Sequence, residues 1–397
     1  MLPLLLIAIP LIVVVVLVAN RVNYGLALLI GALAIAIVSA MNVYKFLEIV
    51  ISTIIDLETL ELTAIVALIQ LLALCMSESG MIERLIQSIR SVLPAKYILA
   101  ILPAIMGSLP MPGGALLSAP MIEDTANKLG LDGDEESFIN VWFRHWNFFV
   151  YPLSSAIILA STLAGVSLYR LIAVQLPVLL IYILIGYIAS LRSIARVEGY
   201  SKSQIDWPSL YRILLGISPI LIAVILTVVG LNMALALIVA VAYTIVINRI
   251  GLEKVRYILR RINVAIPLAI PSVMVFRYTL KRSGLIEAAI PYFSYSQLPP
   301  LIIALTITWI IGLATAMPSA GIALAFPIAS AIVDNMSVST ASSIYISVIF
   351  SYLISPLHLC LILTIGYYKS GILSVYKRLV PSAIAAYLSS LIILSFL

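Results

Sequence analysis

Met111-Pro112-Gly113-Gly114-Ala115-Leu116 and, 206 residues later, Met317-Pro318-Ser319-Ala320-Gly321-Ile322 are two versions of one motif. Further pairs follow in the same order at offsets of 204 to 207, including Ser79-Gly80-Met81-Ile82-Glu83 with Ser283-Gly284-Leu285-Ile286-Glu287 and Tyr151-Pro152-Leu153-Ser154 with Ser355-Pro356-Leu357-His358. Several matches in order at nearly one offset indicate an internal duplication. We therefore expect two repeats, residues 1–191 and 211–397, joined by a polar cytoplasmic linker at 192–210.

The composition indicates a membrane protein over the whole length of the chain. Of its 397 residues, 63% are hydrophobic and 10% are charged, whereas soluble domains carry about 25% charged residues. Apolar segments close to the roughly 20 residues of a membrane helix recur throughout, so we expect an all-α polytopic protein with about 10 transmembrane helices. The two cysteines, Cys75 and Cys360, are too few for a disulfide scaffold or a cysteine-based metal cluster, and no metal ligand is predicted.

Each repeat contains two irregular segments. Residues 96–129 and 298–333 are too long for one crossing and too short for two, and each has a Pro/Gly-containing tip at its centre. This pattern predicts re-entrant helical hairpins, whose irregular tips must be surrounded by protein or by a wet cavity. Residues 137–166 and 339–367 each contain a central proline. Proline removes a backbone donor and clashes one turn back, so both segments are predicted to be broken helices.

The basic residues predict how the repeats lie in the membrane. Five crossings per repeat turn the second repeat upside down relative to the first. Of the 23 Lys and Arg residues, five fall on the side of the N-terminus, seventeen fall on the opposite side, and Arg144 lies inside a segment. Because basic loops stay in the cytoplasm, we expect a plasma-membrane protein with both termini extracellular, hairpin 96–129 entering from the cytoplasm and hairpin 298–333 entering from outside. The net charge of +6 then reflects loops that face anionic lipid, and no nucleic-acid partner is expected.

Inverted repeats with broken helices are the recurring plan of secondary transporters. Exchanging the conformations of the two halves gives inward-open and outward-open states of similar energy. A broken helix offers free N–H groups to an anion and free carbonyl groups to a cation. We therefore expect a secondary active transporter for a small anionic solute, with a carboxylate favoured. No cofactor is expected, apart from Na⁺ as a candidate coupling ion beside H⁺.

Three motifs resemble one protein family. They are the hairpin tip Leu109–Pro120, Trp142-Phe143-Arg144-His145, and Ser355-Pro356-Leu357-His358-Leu359-Cys360-Leu361. All three are similar to motifs of DUF401, a family of archaeal and bacterial membrane proteins grouped with the ion transporter superfamily of gluconate, citrate, dicarboxylate and arsenite carriers. The resemblance covers nearly the whole chain and implies a scaffold domain, a mobile domain with both hairpins, arm helices at 80–93 and 283–295, elevator-type motion and a homodimer. Both tips lack the Ser-Asn-Thr signature of the dicarboxylate carriers, so the resemblance supplies a mechanism class and no substrate.

Arg144 is the most informative candidate residue. It lies about eight residues into its segment, roughly 12 Å deep at about 1.5 Å per residue. An ionisable group at that depth is expected to be functional, and a guanidinium suits a carboxylate or another oxyanion. The alternative is a structural salt bridge, or a side chain that snorkels to an interface. His145 and His358 lie in the two broken segments, where each is a candidate proton carrier or a hydrogen-bonded structural residue.

The other candidates are small or polar residues at the tips and breaks. Substrate contacts are predicted at Pro112, Gly113, Gly114, Arg144, His145, Asn147, Ser154, Pro318, Ser319, Ala320, Gly321, Ser355 and His358. Cation-coupling residues are predicted at Ser118, Ser155, Thr315 and Ser351. Turn formation by the glycines and helix packing by the hydroxyls are the plainer alternatives. Gln70, midway along the third segment, is expected to form an interhelical hydrogen bond.

Two other functions remain open at this point. One is a membrane-embedded enzyme that acts on a lipid or peptide through Arg144 and His145, and the other is an anion channel through the two breaks. No pair of aspartates, His-Glu metal motif or Ser/His/Asp set stands at membrane depth, which argues against the enzyme, and no catalytic residue is predicted. A channel needs no alternating-access symmetry. The residues do not distinguish gluconate-like, dicarboxylate and oxyanion substrates.

Overall fold

The computed structural model describes residues 2–108, 114–194, 206–285, 288, 298–333 and 335–397. All regular secondary structure in these residues is helical, and the predicted all-α fold is confirmed. Within the described ranges, five helical stretches are long and apolar enough to cross a membrane, namely Leu57–Glu78, Gly133–Ala164, Leu168–Leu191, Trp207–Val228 and Ile372–Leu394. Shorter apolar helices of 10–17 residues accompany them. The chain is therefore a helical membrane protein.

The described helices divide between the two halves of the chain. The first half contains α1 (Leu2–Ala19), α2 (Tyr24–Val38), α3 (Val43–Ile55), α4 (Leu57–Glu78), α5 (Met81–Val92), α6 (Ala95–Gly107), α7 (Gly114–Lys128), α8 (Gly133–Arg144), α9 (Asn147–Val150), α10 (Ser155–Ala164) and α11 (Leu168–Gly186), which continues as one π-helical turn, Tyr187–Leu191. The second half contains α12 (Trp207–Val228), α13 (Met233–Ile247), α14 (Leu252–Arg260), α15 (Ala269–Arg282), α16 (Pro300–Thr315), α17 (Pro318–Ile332), α18 (Val338–Leu353), α19 (Leu359–Tyr368) and α20 (Ile372–Leu394).

Local capping also corresponds between the halves. α2 and α13 are both 15 residues long, and each begins after an asparagine, Asn23 or Asn232. Each asparagine side chain accepts hydrogen bonds from the backbone N–H groups two and three residues later. Asparagine is a favoured N-cap because its oxygen satisfies donors that the first helical turn leaves unpaired. The shared cap is a local feature expected of duplicated segments.

Both hairpin regions consist of two packed helices. α6 and α7 pack against each other on either side of the first tip, of which residues 109–113 lie outside the described part of the chain. α16 and α17 pack in the same way, and only Ala316 and Met317 separate them. Ala316 has a positive φ of 48°, which turns the chain sharply after α16.

Amphipathic helices connect several of the longer ones. α5 occupies the predicted amphipathic stretch 80–93, whereas most of the stretch predicted at 283–295 lies outside the described residues. The sequence analysis did not predict two further amphipathic helices, α3 and α14. Both are short and carry charged residues, so they lack the long apolar pattern that identifies a membrane helix.

The helices form two packed groups, and each group draws on both halves of the chain. Group 1 contains α1–α5 and α12–α15, in which α2 packs on α15 and α4 packs on α13. Group 2 contains α6–α11 and α16–α20, in which α10 packs on α17 and α8 packs on α19. Contacts of α1 with α16, of α15 with α17 and of α5 with α6 join the groups. Both hairpins and both broken segments therefore lie in group 2.

Candidate functional site

The first broken segment is interrupted at its centre. α8 begins at a capping box, in which the Asp132 carboxylate accepts from the Glu135 N–H at 2.8 Å and the Glu135 carboxylate accepts from the Asp132 N–H. This reciprocal pair fixes the start of the helix. The helix ends at Arg144, one turn of helix follows as α9, and α10 begins only at Ser155. Pro152 lies between α9 and α10, where it cannot continue the helical hydrogen-bond ladder.

The second broken segment has the same plan. α18 ends at Leu353 and α19 begins at Leu359, with Pro356 between them. His358 is the N-cap of α19, as Ser154 is the N-cap of α10. These two residues are also paired at the offset of 204 that relates the motifs. Equivalent backbone positions thus carry different side chains.

A cavity of about 760 Å³ lies between the two helix groups. Group 1 lines it with residues between Val18 and Tyr24, with Val66, Ile69 and Gln70 of α4, and with Asn263, Ala265 and Ile266 before α15. Group 2 lines it with the end of α6, the first break, the tip between α16 and α17, and the second break. Its volume suits a small organic solute. The interrupted helices therefore meet at one cavity.

Three helix N-termini face this cavity without a side-chain cap. They are the first turns of α10, α17 and α19, whose N-cap residues Ser154, Met317 and His358 make no side-chain capping hydrogen bond. Residues of these turns line the cavity, namely Ser154, Ser155, Met317, Ser319, Leu359 and Cys360. A helix N-terminus carries unpaired N–H donors and a partial positive charge, and both favour an anion.

Arg144 adds a full positive charge to the same wall. Its side chain is buried, with 6% of its surface exposed, and it lines the cavity. Its Nη1 lies 3.5 Å from Ser118 Oγ, which it approaches as a donor. Arg144 is also the last residue of α8, where the negative end of the helix dipole stabilises a cation. Arg144 and the three helix N-termini therefore line the same cavity.

The first hairpin is joined to the first break by two side-chain hydrogen bonds. Trp146 Nε1 donates to the Ala104 carbonyl and Asn147 Nδ2 donates to the Gly107 carbonyl, each at 2.8 Å. A Cβ on Gly107 would overlap the Arg144 carbonyl, so only glycine permits this approach. Asn147 Oδ1 has no hydrogen-bond partner among the described residues. Asn147 also lines the cavity, so one side chain belongs both to the hairpin contact and to the cavity wall.

The two histidines meet although one comes from each half. The ring centroids of His145 and His358 are 4.8 Å apart, and Tyr352 lies against both rings. Tyr352 OH is 3.2 Å from His145 Nε2. His145 lines the cavity, whereas His358 is fully buried behind the wall.

The structure brings seven of the predicted site residues to the cavity. They are Arg144, His145, Asn147, Ser154, Ser155, Thr315 and Ser319. Other predicted residues are buried nearby without lining it, namely Ser118, Ala320, Ser351, Ser355 and His358. Gly321 packs behind Thr315, and Pro318 is the first residue of α17. Pro112 and Gly113 lie outside the described residues, and Gly114 begins α7.

Local hydrogen bonds explain why some predicted hydroxyls do not line the cavity. Ser355 Oγ donates to the Leu313 carbonyl at 2.6 Å, which ties the second break to α16. Ser351 Oγ donates to the Val348 carbonyl, and Ser118 Oγ donates to the Ala115 carbonyl, both within their own helices. Serine in a helix commonly bonds a carbonyl one turn earlier. All three hydroxyls therefore bond backbone carbonyl groups, and Ser118 Oγ is in addition approached by Arg144.

Several cavity residues were not predicted as site residues. Tyr352 lies within the second broken segment, Cys360 lies within the motif quoted there, and Gly107 and Ser108 precede the first hairpin tip; all four line the cavity. Gln70 also lines it, and its Nε2 has no hydrogen-bond partner among the described residues. The interhelical hydrogen bond expected for Gln70 is therefore missing at this atom. The sequence feature that could have identified Gln70 as a site residue is its position as a lone glutamine midway along an apolar helix.

Comparison with known proteins gives one family. No curated protein matches the chain. The sequence profile of DUF401, described as a protein of unknown function, matches residues 3–396. This match covers nearly the whole chain and confirms the family indicated by the motifs at the first tip and at the two breaks. The chain belongs to the DUF401 family.

Proposed function

We propose that the protein is a secondary active transporter that moves a small anionic solute, with a carboxylate favoured. The observation that carries this proposal is the convergence of Arg144 and the uncapped N-termini of α10, α17 and α19 on one cavity. Each N-terminus favours negative charge, and a guanidinium can bind a carboxylate through two parallel hydrogen bonds. The positive charge of Arg144 and of the helix N-termini favours an anion over a neutral or cationic solute.

The division into helix groups supports an elevator mechanism. Group 2 carries the helices of both hairpins, both breaks and Arg144, whereas group 1 supplies the opposite wall of the cavity. A solute bound by group 2 could cross the membrane with it while group 1 stays in place. The placement of the family within the ion transporter superfamily, and the homodimer that this placement implies, belong to the same proposal.

The cavity reaches the turn between α1 and α2, at Ala19 to Tyr24. The distribution of basic residues predicts that this turn is cytoplasmic. We infer that this conformation is open to the cytoplasm. Uphill transport then requires a second conformation in which group 2 presents the same site to the outside.

Coupling to Na⁺ or H⁺ is part of the proposal. Among the predicted cation-coupling residues, Ser155 and Thr315 line the cavity. α16 ends at Thr315, whose hydroxyl lies 2.9 Å from the Ile311 carbonyl and 3.5 Å from the Gly312 carbonyl. These oxygens are the candidate ligands for Na⁺. His145 offers the alternative of a proton site at the same wall.

The test starts with the purified full chain. Its melting temperature is measured against a panel of mono-, di- and tricarboxylates, sugar acids and inorganic oxyanions, because a ligand that binds only the folded state raises the melting temperature. The anions that bind are then followed by uptake into proteoliposomes under an imposed Na⁺ or H⁺ gradient. Anion accumulation that requires the gradient supports the proposal. Conductance that needs no gradient, or the absence of anion binding, contradicts it.

A further inference from the structure

Three metal-binding side chains converge where the two breaks meet. His145 comes from the first break, and His358 and Cys360 come from the second. One donor atom from each residue lies within 4.8 Å of the other two. The two imidazoles are buried, and Cys360 is partly exposed to the cavity. The sequence analysis predicted no metal ligand, because these residues are 213 to 215 positions apart along the chain.

Backbone carbonyls fix the tautomer of both histidines. His145 Nδ1 lies 2.5 Å from the Val141 carbonyl, and His358 Nδ1 lies 3.2 Å from the Leu353 carbonyl. A carbonyl only accepts, so each Nδ1 carries the proton and each Nε2 keeps its lone pair. Metal-bound histidines show the same arrangement, with the second ring nitrogen donating to a carbonyl or carboxylate.

The His358 Nε2 lone pair accepts no hydrogen bond from the described residues. This atom is buried and has no hydrogen-bond partner there. A buried polar atom without a partner costs roughly 1–3 kcal/mol, so it needs an explanation. The corresponding His145 Nε2 meets only the Tyr352 hydroxyl, at 3.2 Å. Tyr352 in turn contacts Cys360. Both imidazoles thus keep an Nε2 lone pair, and one donor atom of each lies within 4.8 Å of the Cys360 thiol.

We propose that His145 Nε2, His358 Nε2 and Cys360 Sγ bind a transition-metal cation of the Zn²⁺ type. Imidazole and thiolate together select such ions over Na⁺, Mg²⁺ and Ca²⁺, which prefer oxygen ligands. Three protein ligands leave one position of a tetrahedral site for another group. That position faces the cavity, because both His145 and Cys360 line it.

Metal binding requires a deprotonated thiol and a small movement of the donor atoms. The Cys360 thiol releases its proton to cavity water and binds as thiolate, which offsets one positive charge beside Arg144. At bond lengths of about 2.0–2.3 Å, the donors of a tetrahedral zinc site lie roughly 3.5 Å apart. Metal binding therefore requires the donor atoms to move about 1 Å closer together. Cys360 can supply this movement because its side chain is not fully buried. The bound ion then links the broken segments of the two halves.

Metal binding is tested on the full chain in detergent, freed of metal by a chelator. Zn²⁺ affinity is measured by competition with a chromophoric chelator, and Co²⁺ is added as a spectroscopic probe that shows a thiolate-to-cobalt charge-transfer band only when sulfur is a ligand. We expect one Zn²⁺ per chain and a cobalt–thiolate band. Cys360→Ser should abolish the band and weaken Zn²⁺ binding at least tenfold, and His358→Gln should weaken binding to a similar degree.

Cys75→Ser provides the matched control. Cys75 is the other cysteine of the chain, is buried in α4 and does not line the cavity, so this variant should keep the wild-type Zn²⁺ affinity and the cobalt band. Equal Zn²⁺ affinity in wild type and Cys360→Ser, or a cobalt spectrum without a thiolate band, would overturn the proposal. If Cys360→Ser does not fold, the affinity of His358→Gln decides in the same way. The measurement uses neither an anion nor a gradient, so its result is independent of the transport proposal.

Discussion

Arg144 combines two electrostatic environments that usually occur apart. Its backbone ends α8, where the helix dipole stabilises its charge, and its side chain lines a cavity that three helix N-termini also face. An anion in the cavity would therefore meet a guanidinium already held in place within the protein interior. Because the side chain is ordered before the ligand arrives, less conformational entropy is lost on binding.

Replacing Arg144 by glutamine removes the charge and retains a polar side chain. A hydrogen bond to a charged group contributes roughly 1.5–3 kcal/mol, so we expect Arg144→Gln to weaken anion binding about 10- to 100-fold while the ligand-free protein still folds. Arg170→Gln is the control, because Arg170 is exposed and lies outside the cavity. Titration of an anion that stabilises the wild type measures both variants. Unchanged affinity in Arg144→Gln would reject a role in binding.

Gln70 and Gln175 form a natural pair for a second experiment. Both are buried and both have amide atoms without a partner among the described residues, but only Gln70 lines the cavity. Replacing an unsatisfied buried amide with an apolar group of similar shape is near neutral or stabilising. We expect Gln175→Leu to leave anion affinity unchanged and Gln70→Leu to reduce it. Equal affinities in the two variants would show that Gln70 does not contact the anion.

The candidate site could be predicted only in part at this scale. Arg144, His145 and Asn147 were accessible from the sequence, because polar residues in apolar segments are costly and need a reason. Ser351 and Ser355 looked equally suitable, yet their hydroxyls bond nearby carbonyls. The sequence does not show which carbonyl a hydroxyl will reach. The pairing of His145 with His358 and Cys360 depends on contacts between the halves, which no local pattern contains.

At the scale of elements, the first hairpin and the first break act as one packed unit. The end of α6 approaches the end of α8 so closely that a side chain at Gly107 would overlap the Arg144 carbonyl. Asn147 and Trp146 hold the same hairpin by hydrogen bonds to backbone carbonyls of α6. The position of the hairpin therefore sets the position of Arg144.

Gly107→Ala tests this coupling between elements. Overpacking a tight contact typically costs about 1–3 kcal/mol, and here the shift would fall on the backbone of Arg144, so we expect lower anion affinity together with a lower melting temperature. Gly366→Ala is the control, since Gly366 lies within α19 with open space around a Cβ. Ligand-induced stabilisation measures both variants. Wild-type anion affinity in Gly107→Ala would show that the packing of the first hairpin does not affect the anion site.

Helices were predictable from the sequence where the apolar pattern was long or where proline and glycine divided it clearly. The helices α6, α7, α16 and α17 lie within the two stretches that proline and glycine divide. α3 was missed because Lys45 and Glu48 interrupt its apolar residues and because it has only 13 residues. Short surface helices carry too few turns for hydropathy to identify them. Packing against α15 and α4, rather than propensity alone, supports α3.

At the scale of the whole molecule, the two halves are interleaved. Each helix group takes its members from both halves, so neither half forms a group alone. An interleaved duplication allows the two halves to exchange conformations about a shared site. The inversion of the second repeat remains a prediction of the charge distribution.

Labelling of single cysteines tests the inversion. In a Cys75→Ser, Cys360→Ser background, Asn20→Cys lies after α1 and Val229→Cys lies after α12, at corresponding turns where both residues are exposed. We expect a membrane-impermeant maleimide added to intact cells to label Val229→Cys, and to label Asn20→Cys only after permeabilisation. Labelling of both positions from the same side would contradict the inverted arrangement.

Gradient-driven uptake into proteoliposomes tests the central claim most directly. The purified protein is reconstituted, an inward Na⁺ or H⁺ gradient is imposed, and the internal concentration of a stabilising anion is followed over time. The account predicts accumulation above the external concentration, its collapse when an ionophore dissipates the gradient, and its loss in Arg144→Gln but not in Arg170→Gln. Equilibration that never exceeds the external concentration, or uptake that Arg144→Gln leaves unchanged, would contradict it.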